Sequence, residues 1–79
     1  MSLDTRLQGI FRDVFDDDAL VVDDSTSQTT LDGWDSFHQV KLVIAVEEEF
    51  GVKLSIDEVI SMVSFGRLKE LLLAKGIQA

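Results

Sequence analysis

The sequence predicts an all-α fold, a four-helix bundle with three longer helices, one short helix and a long loop between the first and second. Apolar residues recur with helical spacing in segments that begin at capping residues. Proline, which interrupts helices, is absent. Cysteine is also absent, so the fold depends on an apolar core without disulfides. Hydrophobic residues make up 46% of the 79 residues, which is enough for one domain spanning 1–79.

The first predicted helix carries its apolar residues on one face. These residues are Leu3, Leu7, Ile10, Phe11, Val14 and Phe15. Their spacing follows the period of an α-helix. Ser2 or Asp4 is the expected N-cap, because a short polar side chain there accepts hydrogen bonds from the first turn.

A long loop is predicted from residue 16 to residue 35. The helical period disappears there, and Asp, Ser, Thr and Gly dominate. We expect four apolar side chains to fold onto the core and pin the loop, namely Leu20, Val21, Val22 and Leu31. Loops of this length inside small domains are uncommon and tend to be functional.

The second helix is predicted over 36–50, with Asp35 as its N-cap and Gly51 at its end. It has more apolar surface than one core requires. One arc of about 100° contains Leu42, Val43, Val46 and Phe50. A separate arc contains Phe37, Val40 and Ile44. Two interpretations remain open: an exposed apolar patch that binds partners, or extra core covered by the long loop.

The last two helices follow from their capping signals. The third, shorter helix begins with the capping box Ser55-Ile56-Asp57-Glu58. The fourth begins near Ser64 or Phe65, and Lys75 and Gly76 suit its C-terminal end. Its core-facing residues are Phe65, Leu68, Leu71 and Leu72.

The net charge of −8 is concentrated in the first half of the chain, with −7 in residues 1–35 and −1 in 36–79. This charge excludes nucleic acid as a partner and favours basic protein surfaces. No apolar run reaches the roughly 20 residues of a membrane span, and we expect no signal peptide. The expectation is a cytoplasmic monomer without membrane insertion.

Ser36 is the residue whose position favours chemistry, since a helix N-terminus stabilises an anion such as a phosphate. Local sequence alone favours an ordinary cap-region serine over a site of attachment. Catalysis is not predicted, because the single histidine, His38, lies on another helix face and no G-x-S-x-G motif is present. His38 is expected at the surface. The aspartates at 16–18 and 23–24 lack the EF-hand pattern, so no metal site is expected.

Asp35-Ser36-Phe37, followed by the helix from Val40 to Glu49-Phe50-Gly51, strongly resembles the acyl carrier protein family. The resemblance implies that Ser36 carries 4′-phosphopantetheine, attached from coenzyme A by a phosphopantetheinyl transferase. Asp35 belongs to the signature that the transferase recognises. The arm ends in a thiol that holds acyl groups as thioesters, which a chain without cysteine cannot otherwise supply. The implied role is that of a carrier rather than an enzyme.

The resemblance also implies a partner-facing surface, which favours the exposed-patch interpretation. Its predicted residues are Trp34, Phe37, Val40, Lys41, Ile44, Glu47 and Glu48. For Trp34 two placements remain open, either stapling the loop to the helix or lying at the surface for partners.

The partners implied are acyl-transferring, ligase or synthase enzymes. Trp34, Phe37, His38 and Lys41 depart from the fatty-acid-synthesis pattern, which favours a specialised polyketide, lipid, nonribosomal-peptide or polysaccharide-modifying pathway. Two alternatives remain, a peptidyl or aminoacyl carrier loaded by an adenylating enzyme and an unmodified helical interaction module.

The sequence allows an acyl chain to be held inside the bundle but does not predict it. The residues that would line such a space are Phe11, Phe15, Val46, Phe50 and Ile60. Ordinary core packing predicts the same pattern.

Overall fold

The computed structural model describes residues 2–79, and this part of the chain folds into four helices with no β-strand. They are α1 (Leu3–Val14), α2 (Ser36–Phe50), α3 (Ile56–Ser61) and α4 (Phe65–Ala74). The all-α prediction, with one short helix and a long first loop, is confirmed. Among residues 2–79, none of the helices combines the length and the apolar character needed to cross a bilayer.

Helix α1 buries the face that its sequence predicts. Ser2 is the N-cap, and its hydroxyl accepts a hydrogen bond from the backbone N–H of Thr5. Leu3, Leu7, Ile10, Phe11 and Val14 are all buried. Arg6, on the solvent side, pairs with Glu49 near the end of α2 at 2.9 Å. Helices α1 and α2 therefore pack with the start of one beside the end of the other.

The first part of the long loop is held by polar side chains of α1. The Arg12 Nε donates to the carbonyl of Leu20 at 2.7 Å, and the Gln8 side-chain oxygen accepts from the N–H of Val22 at 3.1 Å. Val22 is buried, and Leu20 is half-buried. The prediction that Val21 also pins the loop is wrong. Because Val22 is held against α1, its neighbour Val21 is turned towards solvent.

The second part of the loop pairs with the segment between α3 and α4. The N–H of Gln28 donates to the carbonyl of Val63 at 3.1 Å, and the N–H of Phe65 donates to the carbonyl of Thr26 at 2.8 Å. A Cβ atom added at Gly66 would lie 3.0 Å from the carbonyl oxygen of Asp24. The loop therefore approaches α4 as closely as a glycine allows, and it crosses the bundle as an ordered segment.

The remaining helix ends have the predicted caps. Gly51 ends α2 in the left-handed region at φ +65°. Ser55 and Glu58 form the capping box of α3. The Glu58 N–H donates to the Ser55 Oγ at 3.1 Å, and the Ser55 N–H donates to the Glu58 Oε1 at 2.8 Å. At the end of α4, Gly76 adopts φ +92°, and the N–H groups of Gly76 and Ile77 bond back to the carbonyls of Leu73 and Leu72. This is a Schellman arrangement, which satisfies carbonyls of the last turn.

Candidate functional site

Ser36 is the first residue of α2, and it lies exposed at the edge of a cleft of about 480 Å³. The cleft runs between the start of α2, the long loop and α3. Its lining residues are Gln28, Trp34, Asp35, Ser36, Gln39, Val40, Val59 and Ile60. The serine hydroxyl therefore has room around it for a bulky covalent substituent.

Asp35 caps α2 directly before Ser36. Its Oδ1 accepts from the backbone N–H of His38 at 3.0 Å and contacts the His38 Nδ1 at 2.9 Å. The bond from the backbone N–H of His38, and then the bond from its ring, lower the pKa of the Asp35 carboxyl below its usual value. Asp35 is therefore charged at neutral pH and is fixed in the helix cap.

The His38 ring is packed against the end of α1. It stacks on the Phe15 ring with a centroid distance of 4.9 Å and an interplanar angle of 13°. His38 therefore lies at the surface, as expected, but it is only half-exposed because Phe15 covers one face of its ring. Its Nδ1 bonds to Asp35, and the imidazole orients the cap. Within residues 2–79, no group of three or more His, Cys, Asp or Glu side chains is placed to hold a metal ion.

Trp34 is 4% exposed, so it is not part of an open docking surface. Its indole packs edge-to-face against Phe11 at 5.3 Å, and its Nε1 donates to the Gln39 side-chain oxygen at 2.7 Å. Of the two placements left open by the sequence, the structure supports the staple. The prediction that Trp34 contacts partners is therefore wrong, because the core and Gln39 already occupy both its ring and its N–H group.

Gln39 is a site residue that the sequence analysis missed. It is 9% exposed, and its amide nitrogen donates to the carbonyls of Val59 at 2.9 Å and Met62 at 3.1 Å. A signal was available, because Gln39 precedes the buried Leu42 and Val46 at helical spacing on the same face. A glutamine on a buried stripe indicates a side chain with specific hydrogen-bond partners.

An exposed apolar patch lies on α2, as predicted. Phe37, Val40 and Ile44 are 66%, 56% and 52% exposed, so the long loop does not cover them. The Nζ of Lys41 lies 5.1 Å from the centre of the Phe37 ring. Across the cleft, Ile60 on α3 is also exposed. Ile60, which the sequence allowed as a lining residue of an interior space, instead lines the open cleft and is exposed.

The two predicted glutamates of α2 differ in their surroundings. Glu48 is exposed. Glu47 is half-buried, and its Oε2 accepts from the backbone N–H of Leu54 at 2.9 Å. Glu47 therefore fixes the turn between α2 and α3, and its carboxylate is only partly free to meet a partner.

Comparisons with known proteins indicate the family to which this fold and site belong. No family model matches the chain, and no curated protein matches it. The solution NMR structure of a holo acyl carrier protein from Geobacter metallireducens is similar, with 33% sequence identity and a TM-score of 0.84. The similarity covers 96% of this chain and 91% of that one.

The fold and this similarity define a small helical carrier domain. The chain belongs to the acyl carrier protein family.

Proposed function

We propose that Ser36 carries a 4′-phosphopantetheine arm and that the chain presents acyl groups on this arm to partner enzymes. The observation that carries the proposal is the exposed Ser36 hydroxyl, which lies in the first turn of α2 beside an open cleft. A phosphopantetheinyl transferase would attach the arm from coenzyme A. When bound, the group supplies the thiol that forms thioesters with acyl groups.

The residues around Ser36 fit such a group. The helix N-terminus favours the negative charge of a phosphodiester at the Ser36 oxygen. Asp35 orders this turn through its bonds to His38, so Ser36 is held in one backbone position. The chain contains no cysteine, so a carrier thiol has to come from an added group.

We propose that partners dock on the exposed face of α2 beside Ser36. Phe37, Val40 and Ile44 supply apolar contact, while Lys41 and Glu48 supply charges at its edge. The Nζ of Lys41 lies 5.1 Å from the centre of the Phe37 ring, so its positive charge borders the apolar part of this face. A strongly basic partner surface is a poor complement to Lys41, which supports partners from a specialised pathway. Fatty-acid-synthesis enzymes that charged and elongated this carrier as well as their own would contradict that assignment.

Thiol titration tests the attachment directly, because the unmodified chain has none. The protein is incubated with coenzyme A and a broad-specificity transferase, freed of coenzyme A, and reacted with a thiol reagent. We expect one thiol per chain in the wild type and none in Ser36→Ala. Ser64→Ala, which changes the N-cap serine of α4, is the matched control and should gain one thiol. No thiol in the wild type, or one that persists in Ser36→Ala, would contradict the proposal.

A further inference from the structure

We infer that Gln39 and Trp34 close the interior of the bundle at its Ser36 end, so that an acyl group carried there stays outside, in the cleft. This inference rests on the proposed attachment to Ser36. It concerns which acyl groups the carrier can hold and how it exposes them to partners.

The Gln39 side chain forms the floor of the cleft. It extends from the first turn of α2 to the end of α3, where its amide nitrogen donates to the carbonyls of Val59 and Met62. Its oxygen accepts from the Trp34 indole. Both amide hydrogens and the carbonyl oxygen of Gln39 are therefore occupied. The glutamine bridges α2, α3 and the end of the long loop at one point.

The Trp34 ring that is bonded to Gln39 belongs to a cluster of packed aromatic rings. Trp34 packs edge-to-face against Phe11 at 5.3 Å, and Phe11 packs against Phe65 at 5.6 Å. A hydrocarbon chain entering between α2 and α3 here would have to displace the Gln39 side chain. The carbonyls of Val59 and Met62 would then lose a buried partner, which an alkyl chain cannot replace. The interior is therefore closed to apolar cargo.

The cleft itself favours short acyl groups or acyl groups that carry polar substituents. Val40 and Ile60 provide apolar wall, while Gln28 and Asp35 provide polar wall. A long saturated chain placed there would keep much of its surface in water, which is unfavourable. A short or hydroxylated acyl group would not suffer this cost, and its polar atoms would meet the polar wall.

Nuclear Overhauser contacts from an octanoyl group on the arm test the inference. The arm is loaded from octanoyl-coenzyme A, and intact mass confirms loading before spectra are recorded. We expect no contacts between the octanoyl methyl group and the buried methyl groups of Val46 and Leu68. The fluorescence emission of Trp34, the single tryptophan, should be the same with acetyl and octanoyl groups. Contacts to Val46 or Leu68 in the wild type would overturn the inference.

Two glutamine variants test the role of the floor. Gln39→Ala should admit the octanoyl group, so that contacts to Val46 appear, whereas Gln28→Ala on the exposed wall should not. Circular dichroism checks that the Gln39→Ala protein is folded. If the folded variant still shows no contacts between the octanoyl group and Val46, Gln39 does not close the interior. The wild-type result decides the inference if that variant does not fold.

A variant that does not need the transferase allows the closed interior to be tested even if the proposed attachment to Ser36 fails. No gain in mass would contradict the attachment alone. The Ser36→Cys variant can then carry an octyl group through a disulfide, since the chain has no other cysteine. If that octyl group shows no nuclear Overhauser contacts to Val46 or Leu68, the result would support the closed interior. Contact with either residue would overturn it.

Discussion

The indole nitrogen of Trp34 donates a 2.7 Å hydrogen bond to the side-chain oxygen of Gln39. This bond joins the end of the long loop to the first turn of α2. Gln39 extends the connection to the carbonyls of Val59 and Met62 at the end of α3. Three segments that border Ser36 are therefore fixed relative to one another, which keeps the cleft and the serine in a constant geometry.

Replacing Gln39 should lower the stability of the fold. Gln39→Ala removes the partner of the Trp34 N–H and of two buried carbonyls, and we expect a loss of about 3 kcal/mol in the free energy of unfolding. Urea unfolding followed by circular dichroism measures this loss. Gln28→Ala, an exposed glutamine of the same cleft, should change stability by less than about 0.5 kcal/mol. Equal effects in the two variants would contradict the assigned role of Gln39.

The Asp35 carboxyl should titrate below the usual aspartate pKa of about 3.9. Because this pKa is lowered by folding, the cap contributes stability above the unfolded pKa and loses it as the pH falls through the folded pKa. Carboxyl carbon chemical shifts measured by NMR against pH report the value.

His38→Ala separates the two causes of this lowered pKa. The variant removes the ring contact but keeps the backbone N–H, which is the larger cause. The Asp35 pKa should therefore rise only part of the way to its usual value. A complete return would show that the ring, rather than the helix cap, controls the pKa.

Two helical glycines should respond oppositely to alanine. A Cβ at Gly9 meets nothing within 4 Å, so Gly9→Ala should stabilise α1 by about 0.5–1 kcal/mol. A Cβ at Gly66 would lie 3.0 Å from the Asp24 carbonyl, so Gly66→Ala should be destabilising despite the better helix propensity. Thermal unfolding of both variants checks this. A Gly66→Ala protein as stable as Gly9→Ala would show that the loop is not held closely against α4.

The sequence predicts the helices of this protein well because their ends are encoded locally. Asp35 and Gly51 lie at the predicted limits of α2, and the Ser55–Glu58 capping box marks the start of α3. The exposed patch was predicted less directly. The two apolar arcs of this 15-residue helix also allowed extra core covered by the loop, and the resemblance to a known family decided between the two interpretations.

The features that the sequence does not reveal depend on contacts between distant segments. Glutamine is a polar residue, so its residue type alone does not indicate that Gln39 is buried. Its burial is explained by hydrogen bonds to the carbonyls of Val59 and Met62, which lie 20 and 23 residues further along the chain. The sequence is compatible with a buried or an exposed Trp34, and the hydrogen bond to Gln39 explains why its indole is buried. In the irregular loop, no period indicates which of Val21 and Val22 faces the core, so hydrogen bonding by Gln8 decides it.

Reversing the charge of Lys41 should change the choice of partner. Lys41→Glu removes a cation from the proposed docking face, so basic partner surfaces should associate faster. We expect kcat/KM with fatty-acid-synthesis enzymes to rise about threefold to tenfold. Lys53→Glu makes the same charge change beyond the end of α2 and is the control. A similar gain in both variants would indicate a general charge effect instead of docking through Lys41.

Tandem mass spectrometry of the transferase-treated protein tests directly whether the arm is attached to Ser36. It locates the modified residue after incubation with coenzyme A. We expect one phosphopantetheine group, found only on fragments that contain Ser36. An unmodified protein, or a group located on any other residue, would contradict it.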